Sequence, residues 1–154
     1  YSVAEMPFIH AAEGRLMRIR RASESFLREN AEFAGAYLPE ILESYKSFAD
    51  FLKHGFAFFA LEGENICGNI ISNGEYNGCC IVGADTKAEY RRRGIASALL
   101  RTAIESARER GNEIIWECAE ENIPSVRTAE SCGMHRCGEF FARWFEFEPN
   151  TPQD

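Results

Sequence analysis

Residues Phe56-Ala57-Phe58-Phe59-Ala60-Leu61 form an unbroken apolar run with no polar side to turn toward water. Such a run reads as a fully buried strand, and a sheet built around it needs cover on both faces. Glu62-Gly63-Glu64-Asn65 closes the run, and an apolar segment resumes from Ile66 to Ser72, which predicts a hairpin. A second turn region containing Asn73-Gly74 and Asn77-Gly78 leads to a third strand over residues 79–85, so the sheet opens as an antiparallel meander.

Helical period flanks this meander. A short first strand is expected over residues 15–20, followed by a helix capped by Ser23 with Phe26, Leu27, Ala31 and Ala34 on its apolar positions. A second helix is expected after Pro39, carrying Ile41, Leu42, Tyr45, Phe48, Ala49 and Leu52 and stopping at Gly55. Downstream, Ile95, Ala98, Leu99, Thr102, Ala103 and Ala107 make one helical stripe that ends at Gly111. A strand over residues 113–118 follows, and strand, helix, strand in this order predicts a crossover with parallel pairing. Pro124 then opens a shorter helix ending at Gly133, and the aromatic residues 140–147 are expected as closing strand. The fold class is therefore α/β (α+β): a mixed central sheet with an antiparallel N-terminal meander, a βαβ crossover and helices on both faces.

With 154 residues, 45% of them hydrophobic, the chain suits one compact domain. Its expected extent is residues 15–148, after an N-terminal extension or remnant of a longer chain (1–14) and before a C-terminal tail (149–154). The formal charge of -7 repels a phosphate backbone, so no nucleic-acid partner is expected and any anion site must be a local patch. The six cysteines, Cys67, Cys79, Cys80, Cys118, Cys132 and Cys137, include no Cys-x-x-Cys pair and read as reduced, mostly buried thiols. Cys132, His135 and Cys137 lack a second ligand pair, and no metal is expected. No apolar run approaches bilayer length, so no membrane partner and a cytoplasmic location are expected.

One stretch reverses the acidic character of the chain. In Glu89-Tyr90-Arg91-Arg92-Arg93-Gly94-Ile95-Ala96, three arginines precede a helix start at which Gly94 and Ala96 permit a tight turn. Unpaired amides and the helix dipole converge there on whatever is bound, which makes an anion site.

Arg91-x-x-Gly94-x-Ala96, after a strand and opening a helix, resembles the signature of the GNAT superfamily of N-acetyltransferases. The segment from Asn122-x-x-Ser125 to Gly133 resembles the same family's later segment, and the order of elements is similar from about Arg15 onward. Asp85-Thr86-x-x-Glu89-Tyr90-Arg91 and Trp116-Glu117-x-Ala119 more narrowly resemble a bacterial subgroup. The resemblance implies acetyl-CoA as cosubstrate. Its pyrophosphate would lie on the backbone of Arg91, Arg92, Arg93, Gly94, Ile95, Ala96 and Ser97, and its pantetheine would pair with Ala84, Asp85 and Thr86. Asn122 and Ser125 would complete the cofactor site. The implied partner is a small-molecule or peptide amine, and the implied assembly a monomer or homodimer.

Acyl transfer to an amine requires a base for the amine proton and an exit for the thiolate. Related ribosomal-protein acetyltransferases use a glutamate five positions before the Asn, which implies Glu117 here, with Glu75, Glu89, Glu120 and Glu121 as substitutes. The family's usual acid is a tyrosine seven residues beyond that Asn, where this chain has Ala129. Ser125 and Cys118 stand nearest as other donors, and an unassisted thiolate of pKa about 8.5 is the alternative. Cys118 otherwise reads as a structural thiol, and Phe56, Phe140 and Trp144 as core. The departure at Ala129 leaves a non-catalytic acyl-CoA-binding or regulatory module as a second reading. A nucleotide-binding domain is weaker, because neither a phosphate-binding-loop Lys-Ser/Thr nor a Gly-x-Gly-x-x-Gly pattern is present.

Overall fold

The computed structural model describes residues 6–8 and 17–142. Among the described residues, six strands lie in chain order across one sheet: β1 (Met6–Phe8), β2 (Met17–Arg21), β3 (Ala57–Glu62), β4 (Asn65–Tyr76), β5 (Cys79–Thr86) and β6 (Glu113–Trp116). Neighbours from β1 to β5 are antiparallel, whereas β5 and β6 run parallel. A parallel pair requires a crossover, and α4 (Ile95–Glu109) provides it. Met6–Phe8, inside the segment expected as an extension, adds the strand beside β2. Of the strand expected over 140–147, residues 140–142 are irregular and the remainder, with Trp144, lies outside the described residues. Phe140 is 71% exposed and is not core.

The helical half is more broken than the apolar stripes imply. Ser23 caps α1 (Glu24–Glu29) as expected, its Oγ accepting from the Phe26 amide at 3.1 Å. The helix then stops at Asn30, whose Oδ1 accepts from the Phe33 amide at 2.9 Å and whose Nδ2 donates to the Glu64 carbonyl at 3.1 Å. A side chain that bonds nearby backbone competes with the helix ladder. A π-helical turn (Phe33–Tyr37) leads into α2 (Leu38–Ser44), and α3 (Phe48–His54) follows as a separate helix. The single helix expected from Pro39 to Gly55 is split because Ser47 caps Asp50 and Tyr45 turns extended, sharing a 2.9 Å hydrogen bond with Ser72.

Two apolar layers cover the sheet. Phe58, Ile70 and Val82 pack beneath Ile95, Leu99 and Ala103 of α4. On the opposite face, Phe59, Leu61 and Ile71 pack against Phe26, Phe33, Ile41 and Phe51. Phe58 and Phe59 thus serve opposite layers, as strand alternation requires. The Phe59 ring stands 5.3, 5.0 and 5.2 Å from those of Phe26, Phe33 and Tyr37, and truncating such a ring costs about 3–5 kcal/mol.

The second turn narrows to Asn77-Gly78, with φ of 50° and 75°, the double left-handed conformation of a tight hairpin. Asn73 is instead a bulge between the pairs Ser72↔Val82 and Gly74↔Ile81. Cys67 is a second bulge, between Ala60↔Gly68 and Leu61↔Ile66, and its carbonyl accepts from the Lys87 amide at 2.9 Å. Only Cys67 and Cys80 are buried; Cys79 and Cys132 are half-buried, and Cys118 and Cys137 are exposed. The expectation of mostly buried thiols therefore fails where cysteines fall in the loops that flank α5 (Ile123–Ser131).

Candidate active site

β5 and β6 pair from Cys79↔Glu113 to Val82↔Trp116 and then separate. Residues 83–86 continue β5 with β4 as their only strand partner among the described residues. Alternate backbone groups of a strand point to opposite sides, so this stretch keeps an open hydrogen-bonding edge. Ala84 and Asp85 on it are exposed and Thr86 is half-buried. β6 leaves because an acidic, exposed run follows Trp116 and Asn122 then starts α5, its Oδ1 accepting from the Ser125 amide at 3.3 Å. Trp116 Nε1 donates to Ser125 Oγ at 2.9 Å, tying the strand end to the helix start.

From Thr86 the chain passes through a 3₁₀ turn (Ala88–Tyr90) into the loop 91–94 and α4. Arg92 and Gly94 both adopt left-handed backbone, at φ 64° and 76°. For arginine that conformation costs energy and concentrates at functional loops. Gly94 supplies no capping side chain, so the first-turn amides of Ile95, Ala96 and Ser97 are left for an outside acceptor. The Ile95 side chain is buried, which restricts its contribution to the amide.

Two of the three arginines shape the loop itself. Arg91 Nε donates to the Thr86 carbonyl at 3.1 Å, and an Arg93 amino group donates to the Glu89 carbonyl at 3.1 Å with its guanidinium 5.2 Å over the Tyr90 ring. Tyr90 in turn donates to Glu62 Oε2 at 3.1 Å, and that carboxylate, helped by burial, pushes the phenol up to about 12. The basic loop is thereby tied to the β3–β4 hairpin.

The catalytic candidates divide. Ile114 and Trp116 pack on the layer beneath α4, so alternation turns Glu117, one residue beyond β6, toward the opposite face. It is exposed. Among the substitutes, Glu120 pairs with Arg136 at 3.6 Å, and Glu75, Glu89 and Glu121 are exposed. Cys118 is also exposed, unlike a structural thiol.

A polar group that sequence reasoning missed lies on the face opposite α4. Tyr37, from the π-helical turn, lies beside Asn69, whose side chain works against the upward shift of the phenol and which stands opposite Asp85 in the β4–β5 register. Burial and the nearby Glu32 carboxylate raise the Tyr37 phenol. Glu32 also pairs with Lys87 and accepts from the Ile66 amide at 3.3 Å. Burial, then Glu43 and Asp85, push the Glu40 carboxyl up. The available signal was Asn69, a polar residue inside an apolar strand and only 6% exposed.

Acetyltransferases are among the solved structures that share this fold. A GCN5-related N-acetyltransferase-like protein from Streptococcus suis matches with TM-score 0.63 and 18% identity over 75% of this chain, which spans 45% of that protein. AAC(6')-Iy in complex with the bisubstrate analogue CoA-S-monomethyl-acetylneamine matches with TM-score 0.61 and 17% identity over 85% of this chain and 99% of that one. Aminoglycoside 6'-N-acetyltransferase AAC(6')-IG from Acinetobacter haemolyticus matches with TM-score 0.59 and 19% identity over 84% and 99%. At these identities the likeness establishes the fold. No curated protein sequence matches. The family pattern described as GNAT acetyltransferase covers residues 8–142, from β1 through the described end of the chain, and the protein belongs to that family.

Proposed function

We propose that the protein is an N-acetyltransferase that moves an acetyl group from acetyl-CoA to a primary amine by direct attack. The observation that carries this reading is the continuity of the open β5 edge at residues 83–86 with the uncapped start of α4. A diphosphate suits the amides of residues 91–97 with Arg91, Arg92 and Arg93 about it, and an amide-bearing arm suits the edge at Ala84, Asp85 and Thr86. Asn122 spends its Oδ1 on Ser125, which leaves its amide nitrogen for the arm. Glu117 takes the proton of the attacking amine through a water. The carboxylates Glu32, Glu40 and Asp85 on the face opposite α4 favour a cationic small molecule or peptide as acceptor.

Release of free CoA from acetyl-CoA across a panel of aminoglycosides, polyamines and amino-terminal peptides tests the reading. At least one amine is expected to release thiol above the no-amine rate. Ala129 at the family's tyrosine position favours a second reading, a non-catalytic acyl-CoA-binding or regulatory module. Thermal stabilisation by acetyl-CoA without thiol release from any amine selects that module.

A further inference from the structure

We propose that the Ser125 hydroxyl, oriented by the indole of Trp116, donates a hydrogen bond to the departing sulfur during acetyl transfer; this rests on the acetyl-CoA reading above. Trp116 is the last residue of β6 paired with β5, opposite Val82. An arm that follows β5 from Thr86 to Ala84 ends at Gly83 and Val82, beside that indole. Trp116 Nε1 donates to Ser125 Oγ at 2.9 Å, which occupies an oxygen lone pair and leaves the hydroxyl's own proton without an acceptor among the described residues. A hydroxyl that accepts a hydrogen bond becomes a better donor. The Ser125 backbone is fixed as well, its amide bonded to Asn122 Oδ1 at 3.3 Å.

Ser125 and Ala129 lie four residues apart on α5 and share one helix face. The serine therefore stands one turn nearer the helix start than the alanine, on the side that a donor at position 129 would use. In the transfer, the amine nitrogen bonds to the carbonyl carbon and the carbon–sulfur bond breaks with its electron pair going to sulfur. The amine proton leaves to Glu117 through water. Ser125 keeps its proton and meets the new charge on sulfur, and the thiolate later takes a proton from solvent.

A donor aimed at sulfur stabilises the thiolate of bound CoA, so the test compares CoA with desulfo-CoA by calorimetry from about pH 6.5 to about pH 9.5, around the range where thiols ionise. Glu117 and Cys118 after β6, Glu120 and Glu121 before α5, and Asp85 on β5 are the same in wild type and Ser125→Ala, so the difference between those two curves isolates the hydroxyl. In the wild type, preference for CoA over desulfo-CoA is expected to rise about tenfold with pH, the factor for one unit of pKa. Ser125→Ala is expected to flatten the rise, read as the ratio of the two affinities; Ser125→Thr keeps it and Trp116→Phe weakens it. An equal rise in wild type and Ser125→Ala overturns the proposal. Failure of the wild type to bind either ligand overturns the acetyl-CoA reading itself.

Discussion

Val82 and Trp116 are the last residues at which β5 and β6 face each other, and past them β5 keeps one partner among the described residues where it had two. Amides of residues 79–82 lie between two strands, whereas those of residues 83–86 that point away from β4 are open to water. Hydrogen exchange followed by mass spectrometry is therefore expected to show slow exchange over 79–82 in the free protein. Saturation with acetyl-CoA is expected to slow exchange over 83–86. Unaltered exchange there would mean that the arm takes another route.

Gly94 holds a left-handed backbone at the start of α4, directly after three arginines. Gly94→Ala puts a side chain on a left-handed backbone, which costs about 1 kcal/mol. Gly94→Glu adds bulk and a negative charge directed at the diphosphate. Calorimetry is expected to find acetyl-CoA binding weakened a few-fold in the alanine variant and abolished in the glutamate variant, while both melt cooperatively. Equal affinity in Gly94→Glu and wild type removes the anion site from this loop.

Glu117 extends from an exposed loop just where the paired strands end. If it takes the amine proton, Glu117→Gln keeps the shape and loses the base, and kcat with the amine found by thiol release is expected to fall about a hundredfold. The affinity for acetyl-CoA, measured without amine, is expected to stay unchanged. Full turnover in this variant would pass the role to another group or to water.

How much of this was readable beforehand depended on whether the cause was local. The buried run at residues 56–61, the Asn77-Gly78 turn and the glycine that opens α4 act through their own backbone, and periodicity with turn chemistry exposes them. The breaks at Asn30 and Tyr45 combine local bonds, to the Phe33 amide and from the Ser47 cap, with partners far along the chain, Glu64 and Ser72, and the apolar stripe runs through them unmarked. The bulges at Cys67 and Asn73 change register without changing composition. Tyr37 and Asn69 meet only because the π-helical turn carries the tyrosine over β4, a placement no spacing rule contains. The Trp116–Ser125 bond likewise joins two motifs that looked separate in sequence.

Tyr90 offers a prediction whose sign follows from its partner. Its hydroxyl donates to Glu62, and that carboxylate first, then burial, raises the phenol from 10.0 to about 12. The folded chain therefore holds this proton more tightly than the unfolded chain. For a group raised on folding, the stabilisation is complete below the unfolded value and fades as pH climbs through the folded one, here from pH 10.0 toward about 12. Tyr90→Phe keeps the ring beneath Arg93 and deletes both the bond and the titration. At about pH 8 the variant is expected to be less stable than wild type by about 1 kcal/mol in urea unfolding, the ordinary worth of a hydrogen bond. Between about pH 10 and about pH 11 that difference is expected to narrow, because only the wild type loses stability through this phenol. A constant difference across the alkaline range would show that Glu62 does not hold the proton on Tyr90.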